Sequence, residues 1–142
     1  MREILFKAQR IDNGEWVEGY YTKKVLNSTV EHFIVKETLS NTHTPSYFTD
    51  YQIISDTLCQ DTGLVDKNGN KIWENDIVKR AVFTNKLEYE KYKITFVESL
   101  GLYGFIVEDK NQYYANQELF RINKDCELIG NIFDNADVLK GE

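Results

Sequence analysis

Cysteine is scarce in this chain, and the two present, Cys59 and Cys126, are far apart and belong to no Cys-x-x-Cys pair. A disulfide framework is thereby excluded, and two reduced, structural thiols are expected. No stretch approaches the run of about eighteen apolar residues that a membrane helix needs, and the start Met1-Arg2-Glu3-Ile4-Leu5-Phe6 has neither an apolar core nor a small-residue cleavage site. The expectation is a cytoplasmic protein with no membrane partner. No glycine-rich run ends in Lys-Ser or Lys-Thr, which removes the phosphate-cradling loop of nucleotide hydrolases. Basic residues are outnumbered, 17 against 23 acidic, for a net charge of −6. Duplex DNA is therefore not expected as a partner, because neutralising its phosphates requires the opposite balance.

Aromatics are plentiful: nine Tyr, eight Phe and two Trp in 142 residues. Such side chains suit pleated surfaces. Ile4, Phe6 and Ala8 alternate as on a strand, and Asp12-Asn13-Gly14 is a tight-turn signal before Trp16, Val17, Tyr20 and Tyr21. A hairpin is predicted there, and a further extended run over Val30–Lys36. Residues 38–46 are polar and turn-rich. A second Asn-Gly turn, Asn68-Gly69, separates Thr62–Val65 from Lys71–Trp73 and predicts another hairpin. Extended segments follow over 77–84 and 87–98, where the change of parity between Tyr89 and Tyr92 predicts a bulge near Glu90 and Lys91. Gly101-Leu102-Tyr103-Gly104 is expected to be a turn and not a nucleic-acid clamp, because its flanks are strand-like. A last apolar run spans Cys126–Phe133, with one helical turn after Asp134 or Asn135. Strands separated by turns every eight to twelve residues or so predict an all-β chain of two small antiparallel subdomains, residues 1–60 and 61–142, forming one compact whole.

The sites legible in this pattern are few. Asp66, Asn68 and Asn70 alternate as in a calcium loop, but Lys71 stands where that loop needs glycine and Ile77 where it needs glutamate, so no calcium site is expected. His32, His43, Cys59 and Cys126 could supply four zinc ligands in number, yet none has the close spacing of a structural zinc site. No metal, no cofactor and no catalytic residue is predicted, although a cysteine-dependent hydrolase pairing Cys59 or Cys126 with a histidine is an alternative. The remaining candidates are two clusters in which tyrosine and lysine interleave: Tyr20, Tyr21, Lys23 and Lys24, and Tyr89, Lys91, Tyr92 and Lys93. They are read as core or subunit packing that also offers an interaction surface. The alternative is a β module that stacks the bases of single-stranded nucleic acid.

Residues 1–8, Trp16-Val17-Glu18-Gly19-Tyr20, Thr62-Gly63-Leu64-Val65-Asp66-Lys67-Asn68-Gly69, Ile72-Trp73-Glu74-Asn75-Asp76-Ile77-Val78 and Ile129-Gly130-Asn131-Ile132-Phe133 together resemble the YopX family of phage and prophage proteins. The chain departs from the family pattern at Gln9-Arg10, Asp61 and Asn75. The resemblance implies an all-β protein of two small subdomains, the C-terminal one with the form of an SH3-like barrel, encoded by a bacteriophage or prophage. It implies no established catalytic residues. The expected task is that of a phage accessory protein acting without catalysis in the host bacterial cytoplasm, as a homo-oligomer or against a host or phage protein.

Overall fold

A computed structural model describes residues 4–38, 47–83, 87–99, 102–109 and 117–136. Nearly all of its regular structure is antiparallel strand, in two compact units, Met1–Asp61 and Thr62–Glu142.

In the first unit β1 (Phe6–Gln9), β2 (Trp16–Leu26), β3 (Thr29–Thr38) and β4 (Tyr47–Gln52) are laid in the order β4-β3-β2-β1, and Cys59 and Gln60 of β5 (Cys59–Val65) flank β1. The first hairpin forms where the Asn-Gly signal predicts it, with Gly14 at φ 74°. The second is turned by Asn27 and Ser28, both at positive φ (49° and 69°), between the paired residues Leu26 and Thr29. Val17, Tyr21 and Ile34 share one face with Phe6 and Ala8, because register places Ala8 opposite Val17 and Tyr21 opposite Ile34. That face carries the core, formed by Ala8, Val17, Ile34 and Ile53, with Phe6, Tyr21, Tyr51 and Leu58 packed against it. Ile4 shares their parity but lies outside β1 and is exposed.

β2 serves two neighbours in succession. Residues 16–19 pair with β1, and residues 20–26 pair with β3 on the other edge. At the crossover stands Gly19, where any Cβ would overlap the Val35 carbonyl oxygen. Absence of a side chain lets β3 approach β2 closely there. The bridge between Arg10 and Ile53 then brings the end of β1 against the end of β4.

In the second unit, the remainder of β5 lies beside β6 (Lys71–Trp73) across the Asn68-Gly69 turn, whose Gly69 has φ 84°. A five-stranded sheet has the order β10-β9-β8-β7-β11, from β7 (Asp76–Phe83), β8 (Leu87–Ser99), β9 (Leu102–Asp109), β10 (Gln117–Glu118) and β11 (Cys126–Asn131). β10 and β11 are its edges, and no closed barrel is present among the described residues. Ile72, Val78, Ile94, Leu119, Ile122 and Cys126 form its core. A single helical turn, Leu119–Ile122, supplies two of them.

The bulge expected near Glu90 and Lys91 is absent. β8 pairs with β7 in unbroken register from Ile77–Lys93 to Phe83–Leu87, so Tyr89 and Tyr92 lie on opposite faces of a regular strand. Coverage on both sides of the sheet, with Ile77 and Val78 both buried, removes the need for a bend. The register shift falls instead in β11, between Leu128 and Gly130. Most of the predicted polar loop and of the final helical turn falls on residues 39–46 and 137–142, outside the described residues. Of the turn expected at 101–104, Leu102, Tyr103 and Gly104 are instead the start of β9.

Candidate functional site

Alternation along β2 divides the first tyrosine and lysine cluster. Tyr20 and Lys24 point to the face away from the core, whereas Tyr21 and Lys23 share the core-side parity. Tyr21 is a packing residue. Its ring lies 5.8 Å from that of Phe6 and stacks on His32 at 5.9 Å, and its hydroxyl is hydrogen-bonded to His32 Nδ1 at 2.6 Å. On the outer face Lys24 pairs with Asp50 and lies 4.7 Å over the Phe33 ring, and Lys7 lies 4.8 Å over Trp16. By register, Glu18, Glu31, Glu37 and Asp50 also belong to that face, so carboxylates outnumber amines there.

In the second unit Tyr92 packs against the core beside Val78 and Ile94. Lys91 and Lys93 occupy the opposite face of β8, with Lys91 directly across from Lys79, which pairs with Glu127 at 2.9 Å. Tyr89 has the same parity, opposite Ala81; its side chain is not among those described. The eight predicted residues thus fall on both faces of their strands, and only part of each cluster faces outward.

A cleft that sequence reasoning missed opens where β2 leaves β1 for β3. About 550 Å³ in volume, it is lined by Leu5, Trp16, Glu18, Tyr20, Lys36 and Glu37 among others. Backbone alternation dictates what faces it. Arg10 N–H donates to the Glu15 carbonyl at 2.8 Å, fixing that pair as hydrogen-bonded, so Val17 and Gly19 turn their peptide groups to β1 while Glu18 turns its own away. Ile53 N–H likewise donates to the His32 carbonyl at 3.0 Å, so even-numbered β3 residues serve β4 and Glu37 faces β2. Continued register would pair Glu18 with Glu37, but the ladder ends at Tyr20–Val35. Close contact at Gly19 and divergence beyond it leave a wedge between two strand edges. The only sequence signal was a glycine inside a strand pattern.

The other candidates are structural. The Asp66 carboxylate accepts hydrogen bonds from the backbone N–H groups of Asn68 (2.9 Å), Asn70 (2.8 Å) and Leu128 (2.9 Å), tying the turn to β11. Burial alone would raise its pKa, but those three donors outweigh it and hold the carboxyl below its ordinary value. Cys59 is buried and donates to the Thr57 carbonyl at 3.3 Å. Burial pushes the Cys126 thiol up to about 11, against the opposing field of Arg80, so it is protonated at neutral pH and a poor nucleophile. His43 lies outside the described residues. Among the described residues no group of three or more His, Cys, Asp or Glu is placed to hold a metal ion, and no helix is long and apolar enough to cross a membrane.

Comparison with known proteins places these features in a family. A family profile described as YopX protein matches residues 5–140. Among solved structures, the crystal structure of protein EF1440 from Enterococcus faecalis is similar, with a TM-score of 0.57 and 23% identity over 98% of this chain and 99% of that one. At that identity the likeness concerns the fold alone. None of the curated proteins matches.

Proposed function

The chain belongs to the YopX family, and from that premise we propose that it is a phage- or prophage-encoded accessory protein. In this reading it acts by protein contact, without catalysis, in the cytoplasm of the host cell and as a homo-oligomer. The observation that carries the reading is the set of exposed apolar side chains at the two ends of β2, β3 and β4. Val25, Leu26 and Val30 are large hydrophobic side chains left exposed at the β2–β3 hairpin, and Tyr47 and Phe48, paired with Thr38 and Glu37, are left exposed toward the other end of β3, near Tyr20. Val25 reaches 73% exposure and Phe48 60%. Apolar groups exposed at both ends of a sheet cost solubility unless a partner covers them. β4 is moreover an edge strand whose residues, Tyr47–Gln52, include neither lysine nor proline to discourage pairing with another chain.

Single-stranded nucleic acid is supported less well, because the outward aromatics Trp16, Tyr20 and Phe33 share their face with more carboxylates than amines. Light scattering on the purified protein, with affinity capture from phage-infected or prophage-induced cells, tests the leading reading. A dimer or higher species that Val25→Ser with Phe48→Ser dissociates, or a captured partner lost on the same change, is expected. A strict monomer that captures nothing would overturn it.

A further inference from the structure

We propose that the cleft between β2 and β3 is a docking groove for an extended, basic peptide segment of a partner protein, which adds its main chain to the strand edges at Glu18 and Glu37. The inference rests on the reading that the protein acts by contact and specifies the chemistry of that contact. Backbone alternation points the peptide groups of Glu18 and Glu37 into the cleft, and the ladder that would have paired them ends one step earlier, at Tyr20 and Val35. Strand edges with unused N–H and C=O groups are what an incoming extended chain pairs with, alternate side chains then entering flanking pockets. Leu5, Trp16 and Tyr20 supply an apolar wall for such a side chain.

Charge selects the peptide. Glu18 and Glu37 line the cleft and are exposed, with no ion pair to either carboxylate among the described residues. The exposed Lys36 also lines it, so carboxylates outnumber amines two to one in the lining. Lys7, opposite Glu18 in register, holds its ammonium over the Trp16 ring. A lysine or arginine on the peptide would find two carboxylates at the mouth of the groove, and an acidic peptide would be repelled by them.

The test is an amide-resolved NMR titration of the full chain with a capped pentapeptide of alternating valine and lysine. Two control peptides are used, one with glutamate for lysine and one N-methylated at its central valine. The lysine peptide is expected to shift the amides of Glu18, Gly19 and Glu37, and both controls to fail. Glu18→Gln with Glu37→Gln, which keeps the fold's spectrum, should weaken binding about five- to tenfold, as loss of two exposed charge pairs implies. Unmoved groove amides, equal binding of the glutamate peptide, or full binding of the N-methylated one would each overturn the proposal. A partner captured from cells equally well by the double glutamine variant would overturn the groove while leaving the contact reading intact.

Discussion

At the scale of single residues, Asp66 does most to hold the second unit's turn in place. Truncating a buried carboxylate that serves three backbone N–H groups removes three charge-assisted hydrogen bonds at once. Asp66→Ala is therefore expected to cost about 3 kcal/mol of stability, read from urea denaturation. Because its folded-state pKa is lowered, Asp66 contributes fully above the ordinary carboxyl value of 3.8 and loses that contribution as pH falls through the lower folded value. Denaturation midpoints measured at decreasing pH should fall more steeply for the native chain than for Asp66→Asn, which cannot take up that proton. The alternation of Asp66, Asn68 and Asn70 was visible in the sequence, and so were the reasons against calcium. The true role was not, because one of the three donors, Leu128, is distant in sequence. For the same reason Tyr20 and Tyr21 look equivalent as neighbours, although only Tyr21 has Phe6 and His32 to pack against.

Elements were more legible than sites. Asn13-Gly14 and Asn68-Gly69 mark turns because their glycines take positive φ at no steric cost, and both turns are where that chemistry puts them. Asn27-Ser28 makes the same kind of turn without glycine, which is why the β2–β3 hairpin left a fainter mark. Ser28→Gly should relieve its left-handed backbone and stabilise the protein by about 1 kcal/mol in thermal or urea melts. Gly19 is the reverse case. Its backbone is ordinary, but a methyl group would be driven into the Val35 carbonyl, so Gly19→Ala should destabilise by about 2 kcal/mol, measured in the same way. The absent bulge in β8 shows where periodicity misleads: parity tells which residues share a face, not whether that face is wet, and this sheet buries residues on both sides.

For the whole molecule, charge sets the behaviour. With a net charge of −6 and an isoelectric point near 5.0, solubility should pass through a minimum at about pH 5, detectable as turbidity in a pH series at low salt. The same excess of carboxylates predicts no gel shift of duplex DNA even at low salt. Each unit encloses one of the two cysteines, Cys59 in the first and Cys126 in the second. The native protein should consequently stay silent toward maleimide dyes. Cysteines introduced at exposed positions, as in Glu15→Cys and Lys124→Cys, could then carry a donor and an acceptor fluorophore without first erasing the native sulfurs. Energy transfer between them would follow the distance from one unit to the other as candidate partners are added.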